Sequence, residues 1–419
     1  MLNNRYRITL GGKSYSPEFQ TDPQYAAAWK RVLERAYGRE HGLCGCPGSG
    51  ERKLTIKLRE GSDGYHLARY PHSGPEHAND CRFYAVAPQR SGLQGYAVGV
   101  VEETADGGMK VRLARGVRQQ APGEAGDAAP SPPAAPGVKK PAMTLLGLLH
   151  LLWSESRLTT WYPAMAGKRN GELVSHLLHE CAERVSVAPR IKLDQVLLLA
   201  AQKEKRREST NREIATNAAS RNWRLVVVSP LARYDEERHS GSPERLPVTG
   251  PFGMPTLYLP PAVWETASRR FGRELGAWRR GSRVIAIAQV TQRPGKAHQA
   301  DVLEVALMQV SEQWIPLDSD LEGKVEQKLR DEGRKFDKPL RYDADECAVF
   351  PDFWLLDMQQ DFALEVFGMA TPQYLERRGT KEQWYCSEYG KTGWWRWDAT
   401  QDPRGEHIPA FPAAYGSSR

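Results

Sequence analysis

The chain contains no uninterrupted apolar run near the ~18 residues that a membrane helix needs, and its opening, Met1-Leu-Asn-Asn-Arg-Tyr-Arg7, lacks the apolar core of a signal peptide. Both absences point to a cytoplasmic protein with no membrane partner. Cysteine is scarce, with six in 419 residues. That is too few for a disulfide framework in a chain of this length, so cysteines that cluster point to metal instead. Acidic residues do not dominate, and the formal net charge of +7 with a pI near 9.0 suits a polyanionic partner such as DNA. What is there, 40% hydrophobic and 26% charged residues, is the composition of a globular protein of two or three domains.

The clustered cysteines lie near the N-terminus. Residues 5–10 alternate like a strand, and residues 24–37 carry a helical face of Tyr25, Ala28, Trp29, Val32, Leu33 and Ala36. A tight turn, Leu43-Cys44-Gly-Cys46-Pro47-Gly48, precedes two strand-like runs, and after them comes His77-Ala-Asn-Asp-Cys81. C-x-C and H-x-x-x-C on the two sides of a hairpin assemble a tetrahedral zinc site from Cys44, Cys46, His77 and Cys81, with His72 a competing fourth ligand. Four protein ligands leave no open position, so the site is structural. Two free thiols in a loop beside an unrelated buried Cys81 is the bland alternative. Strands at 95–101 and 109–113 close a zinc-binding α+β domain, 1–115.

Residues 116–141 turn to Ala, Pro and Gly, a linker that cannot bury enough apolar surface to order itself. The middle domain, 142–316, opens with three helical stretches at 143–153, 171–183 and 192–207, a possible winged helix or a plain helical subdomain. His176, His179 and Cys181 invite a metal reading, but Cys181 falls round the helix from the histidines, and packing explains them better. Strands are expected at 223–228, 256–259, 283–290 and 302–310. Between the second and third, a helix over 262–280 carries Arg269, Arg270, Arg273, Arg279 and Arg280 with Phe271 and Trp278 interleaved. This is either a nucleic-acid footprint or a solvated face with two core aromatics.

The stretch with the most chemistry is C-terminal. Pro351-Asp352-Phe353 and Phe362-Ala-Leu-Glu365-Val-Phe-Gly368 read as adjacent strands joined by a short loop, which lets Asp352 and Glu365 face one another. Converging carboxylates bind hard divalent ions. Ser319 caps a helix carrying Glu322 in its first turn, and Thr371-Pro372 opens another on which Tyr374, Arg378, Lys381 and Tyr385 recur at helical spacing. A last strand, 393–398, carries Trp394, Trp395 and Trp397 as core and as a DNA-facing ledge, and the tail, 401–419, is flexible or draped.

In element order, residues 317–400 resemble the PD-(D/E)xK nucleases of the restriction-endonuclease-like fold. Where that family places its lysine, this chain has Phe367, so it looks like the subgroup that writes E-x-F-G and then Y…K on the next helix. The resemblance implies a C-terminal α/β nuclease domain in an α+β multidomain protein. Asp352, Glu365 and the Val366 carbonyl would hold Mg²⁺ or Mn²⁺, Lys381 would position the attacking water, Glu322 would complete the acidic cluster, and Arg378 would meet DNA. The chain also resembles an uncharacterised Cys-motif family of bacterial mobile elements. The expected function is a metal-dependent DNA endonuclease or nickase in a mobile-element or defence context. The alternatives are a zinc-containing DNA-binding protein with a degenerate nuclease fold, or an interaction protein of a conjugation or defence assembly.

Overall fold

The computed structural model describes residues 5–58, 64–70, 73–78, 80–84, 100–104, 107–119, 142–239, 241–340 and 350–415. These form a mixed α+β structure with four sheets. His72, most of the 116–141 linker and most of the run expected as a strand at 95–101 lie outside the described residues.

The first sheet is antiparallel, ordered β2-β1-β3-β4-β5. It is built from β1 (Ile8–Leu10), β2 (Lys13–Tyr15), β3 (Gly42–Cys44), β4 (Lys53–Leu58) and β5 (Tyr65–Arg69). Gly11 and Gly12 both have positive φ in the turn between β1 and β2, which glycine adopts without steric cost. Along β4, Leu54 and Ile56 point inward and alternate with Lys53, Thr55 and Lys57. Between β2 and β3 lie α1 (Pro17–Thr21), capped by the Ser16 hydroxyl, and α2 (Ala26–Ala36), which buries Leu33 and Ala36.

The strand expected at 109–113 to close this first unit pairs elsewhere. β6 (Val101–Glu103) and β7 (Met109–Val111) form a sheet ordered β10-β9-β7-β6, in which β7 runs parallel to β9. Next come α3 (Leu145–Glu155), β8 (Thr160–Trp161), α4 (Gly171–Ala182), β9 (Val185–Ala188), β10 (Ile191–Lys192) and β11 (Leu197–Leu199). α3 is buried nearly all round, with Leu148, Leu149, Leu151, Leu152 and Trp153 at 0% exposure. Each such side chain contributes about 1.5–3 kcal/mol by leaving water. The helix expected at 192–207 does not form, because Leu197-Leu-Leu is wholly buried as a strand. Three strands therefore separate α4 from α5 (Arg206–Ser220), which excludes the winged-helix arrangement of three successive helices.

A parallel crossover leads from β11 through α5 to β12 (Leu225–Pro230). The short α6 (Glu236–His239), β13 (Thr256–Tyr258), α7 (Pro261–Arg270), α8 (Gly272–Arg279) and a long hairpin, β14 (Arg283–Arg293) with β15 (Lys296–Val310), complete a sheet ordered β11-β12-β14-β15-β13. The helix expected at 262–280 is broken in two at Phe271, whose backbone leaves helical geometry (φ −115°, ψ 36°) while its ring enters the core.

The last part of the chain runs α9 (Asp320–Asp331), β16 (Phe336–Asp337), β17 (Phe353–Leu355), β18 (Phe362–Phe367), α10 (Pro372–Tyr389) and β19 (Trp394–Asp398). Its sheet is ordered β19-β18-β17-β16-β8, antiparallel apart from β18 beside β19. Alternation along the strands serves two cores. Phe353, Leu364, Trp395 and Trp397 pack with Val325 and Leu329 of α9, while Trp354, Ala363, Phe367 and Trp394 pack with Tyr385 of α10. All three tryptophans of β19 are buried, so they form core, and the expected DNA-facing ledge is not present. The described part of the tail is draped, with Phe411 buried and the Ala410 carbonyl accepting from Trp395 Nε1 at 3.1 Å.

Candidate functional site

Two buried polar clusters carry the chemistry. The first is the cysteine and histidine set. Cys44 ends β3, and Gly45 N–H donates to the Arg7 carbonyl at 2.9 Å, turning Cys46 back toward the same point. Gly48 fits where no other residue can, since a Cβ there would lie 2.0 Å from the Glu76 carbonyl oxygen. Arg52 closes the loop, donating through Nη1 to the Gly48 carbonyl (2.7 Å) and through its backbone N–H to the Glu76 carboxylate (2.8 Å). A short turn at Gly74–Glu76 then presents His77, with Cys81 four residues on.

The donor atoms stand at tetrahedral spacing. Cys44 Sγ is 3.6 Å from Cys81 Sγ, and His77 Nδ1 is 3.6 Å from Cys46 Sγ and 3.7 Å from Cys81 Sγ. Zinc bond lengths of about 2.3 Å to sulfur and 2.0–2.1 Å to nitrogen give tetrahedral edges of about 3.8 Å and 3.6 Å respectively. All four residues are buried, and Ala78 N–H donates to Cys46 Sγ at 3.3 Å. The hydrogen bond with Cys81 pulls the Cys44 thiol down to about 4 and pushes Cys81 up. Soft donors at this spacing can hold a metal such as zinc.

The second cluster lies at the end of the last sheet. Phe353 pairs with Leu364, and Asp352 N–H donates to the Leu364 carbonyl at 3.0 Å, so Asp352 and Glu365 come to neighbouring positions on the face covered by α10. Asp352 accepts from Val366 N–H at 2.7 Å. Glu365 is 1% exposed and accepts from Lys381 Nζ at 2.9 and 3.1 Å and from the Tyr385 hydroxyl at 2.6 Å. Lys381 and Tyr385 reach the same carboxylate because i, i+4 positions share a helix face. Burial, then the nearby Asp352 charge, push the Glu365 carboxyl up to about 7 against the opposing pull of Lys381 and Tyr385. Burial and the Asp352 charge likewise raise Tyr374.

Glu322 reaches this region from the first turn of α9, where Ser319 Oγ accepts from its backbone N–H at 3.1 Å and its own carboxylate accepts from Asp318 N–H at 3.0 Å. Its partner is a residue that the sequence did not single out. Lys338, 2% exposed, places Nζ 2.8 Å from Asp318 and 3.2 Å from Glu322. Burial works against the Lys338 ammonium, but Asp318, Glu322 and Asp352 together outweigh it and raise its pKa. Glu322 is pushed up to about 8, chiefly by burial, with Lys338 opposing. A lysine reads as surface by default. This one follows β16 and is enclosed by neighbours distant in sequence, among them Asp318, Glu322 and Phe353, so short-range spacing does not reveal it.

The other expected contacts divide. Arg378 is partly buried, paired with Asp398 (2.7 Å) and Glu382 (2.9 Å) and lying over the Phe367 ring. Arg273 pairs with Glu274 and lies 3.9 Å from Asp318, and Arg280 pairs with Asp320 at 2.6 Å, so both are engaged by acids. Arg269, Arg270 and Arg279 are exposed. His176 and His179 pair along their own helix with Glu180 and Glu183, and Cys181 is buried in the core. A cavity of about 1610 Å³ lies between α4, the start of α5 and the β12–β14 sheet, and no member of either cluster lines it. Among the described residues, no helix is long and apolar enough to cross a membrane.

No curated protein and no solved structure matches the chain. A family model described as a protein of unknown function, DUF1173, matches residues 17–400, and the chain therefore belongs to that family.

Proposed function

We propose that this protein is a metal-dependent DNA endonuclease or nickase, with its active site in residues 317–400 and a zinc-stabilised N-terminal part. One observation carries the reading: Asp352 and Glu365 lie buried at neighbouring strand positions with the Lys381 ammonium on Glu365, in a chain order of helix, three strands, helix and strand. That order and those residue types are what the PD-(D/E)xK resemblance implies, with Lys381 standing in for the lysine that Phe367 replaces. The oxygen donors of Asp352 and Glu365 suit Mg²⁺ or Mn²⁺, which when bound would polarise a water and neutralise charge on the departing oxygen. Tyr385 fixes the Glu365 rotamer, Val366 N–H fixes Asp352, and Lys381 holds its ammonium where a water could be oriented and phosphorane charge offset. The basic surface at Arg269, Arg270 and Arg279 would contact the phosphate backbone. A mobile-element or defence setting accords with such an activity.

The rival reading, a DNA-gripping protein with a degenerate nuclease fold, is favoured by the lysines already seated on Glu365 and Glu322. Cleavage of supercoiled plasmid, linear duplex and single strands in Mg²⁺ and Mn²⁺ decides between them. The nuclease reading expects cutting by the native chain and none by Asp352→Ala or Glu365→Ala. DNA retention without cutting would establish the degenerate form, and absence of both would leave an interaction protein.

A further inference from the structure

The acidic region holds more cations of its own than the resemblance requires. Four carboxylates, Asp318, Glu322, Asp352 and Glu365, meet two ammonium groups, Lys338 and Lys381. The two lysines divide the acids. Lys381 sits on Glu365, while Lys338 sits between Asp318 and Glu322, with the Phe353 ring 5.7 Å from Nζ. Lys338 has little freedom to leave. It is 2% exposed, its backbone N–H donates to the Thr159 carbonyl at 3.0 Å, and the preceding Asp337 is anchored by the Thr159 and Thr160 hydroxyls, both at 2.8 Å. A buried ammonium with two carboxylates at contact distance is a fixed positive charge, and the cost of breaking such a pair keeps it in place.

The geometry points to Lys338 as a built-in cation that occupies the position a second divalent ion would otherwise take, with Glu322 serving the lysine and not a metal. This rests on the proposed role of Asp352 and Glu365 as ligands. Two-metal phosphoryl-transfer sites place their ions about 3.5–4 Å apart to clamp both the attacking and the leaving oxygen. Here the ammonium would supply the second of these positive charges without an open coordination position, so Lys338 is a positioning residue that sets how many ions the site takes.

The test counts Mn²⁺ bound to the full chain by the electron paramagnetic resonance of the free ion. The native protein should bind one, lost in Glu365→Gln. Lys338→Met should bind one more than native, and adding Glu322→Gln should remove that extra ion. Two ions in the native protein, or an unchanged count in Lys338→Met, would overturn the inference. No ion in the native protein with one in Lys338→Met, lost on adding Glu322→Gln, would sink the reading of Asp352 and Glu365 as ligands while keeping that of Lys338. Should the methionine variant fail to fold, Lys338→Gln replaces it. Glu322→Gln in the otherwise native chain gives an independent check: it keeps one ion if Glu322 serves the lysine, and its loss of the ion would overturn the assignment.

Discussion

The cysteine and histidine cluster and the carboxylate cluster are each a set of buried polar side chains brought together from distant segments, yet they are satisfied in opposite ways. Cys44, Cys46, His77 and Cys81 face one another with an Ala78 N–H on Cys46 Sγ but no charged partner, and His77 Nε2 has no hydrogen-bond partner, among the described residues. Asp352, Glu365 and Glu322 are each held by a backbone N–H or an ammonium, and two lysines are committed to them. A site that waits for an ion shows donors at ligand spacing and little internal compensation, whereas a site that carries part of its own positive charge can keep its geometry without one. On the proposed reading the first cluster would act on folding, and the second on the charge available to a substrate.

The largest effect should come from breaking the first cluster. Cys81→Ser removes one of the four donor groups, and with zinc bound the loss should reach several kcal/mol, on the order of a good part of a structural zinc site's binding free energy. Metal analysis should find zinc in the native protein and not in the variant, with earlier unfolding in urea. Native protein without zinc, purified without chelator, would remove the contrast altogether.

A smaller effect tests the second cluster through pH. The Glu365 and Glu322 carboxyls are raised from 4.5 to about 7 and about 8 in the folded chain. The folded state therefore keeps protons that the unfolded state has released, and stability falls where the native state binds more protons. Their contribution is present below about pH 4.5 and is lost as pH rises through about 7 to 8. Urea midpoints of metal-free protein should decline across that window, and Glu365→Gln should flatten the lower part of the decline. A midpoint unaffected by the variant would show that Glu365 does not titrate there.

The smallest effect belongs to the exposed arginines. Arg269→Ala with Arg270→Ala should leave stability within about 0.5 kcal/mol of native. The same pair should reduce the steepness with which DNA retention falls with salt, by about one unit for each phosphate that is no longer neutralised. An unchanged salt slope would place the DNA footprint elsewhere.

Much of this was legible in the residues because it depends on local spacing. C-x-C and H-x-x-x-C give the ligand set, and the period of α10 places Lys381 and Tyr385 on one face. The Ser319 cap and the inward alternation of β4 are equally local. Other features were hidden because they depend on what covers them. Leu197-Leu-Leu is as apolar as a buried helix, and only pairing beside β12 makes it a strand. Likewise, β7 could be seen as a strand but not as a neighbour of β9, and Arg378 could be put on the cleft helix but not seen to pair with Asp398.

The sequence by itself determined an α+β chain with a thiol and imidazole set near its N-terminus and acids on two successive strands near its C-terminus, since periodicity and short-range spacing are properties of the chain alone. The tertiary structure decided which charges meet. Lys338, which follows β16, became a buried partner of Asp318 and Glu322 through the packing of segments distant in sequence, and such enclosure is a long-range fact: desolvation and ion pairing depend on neighbours that lie far away in the chain.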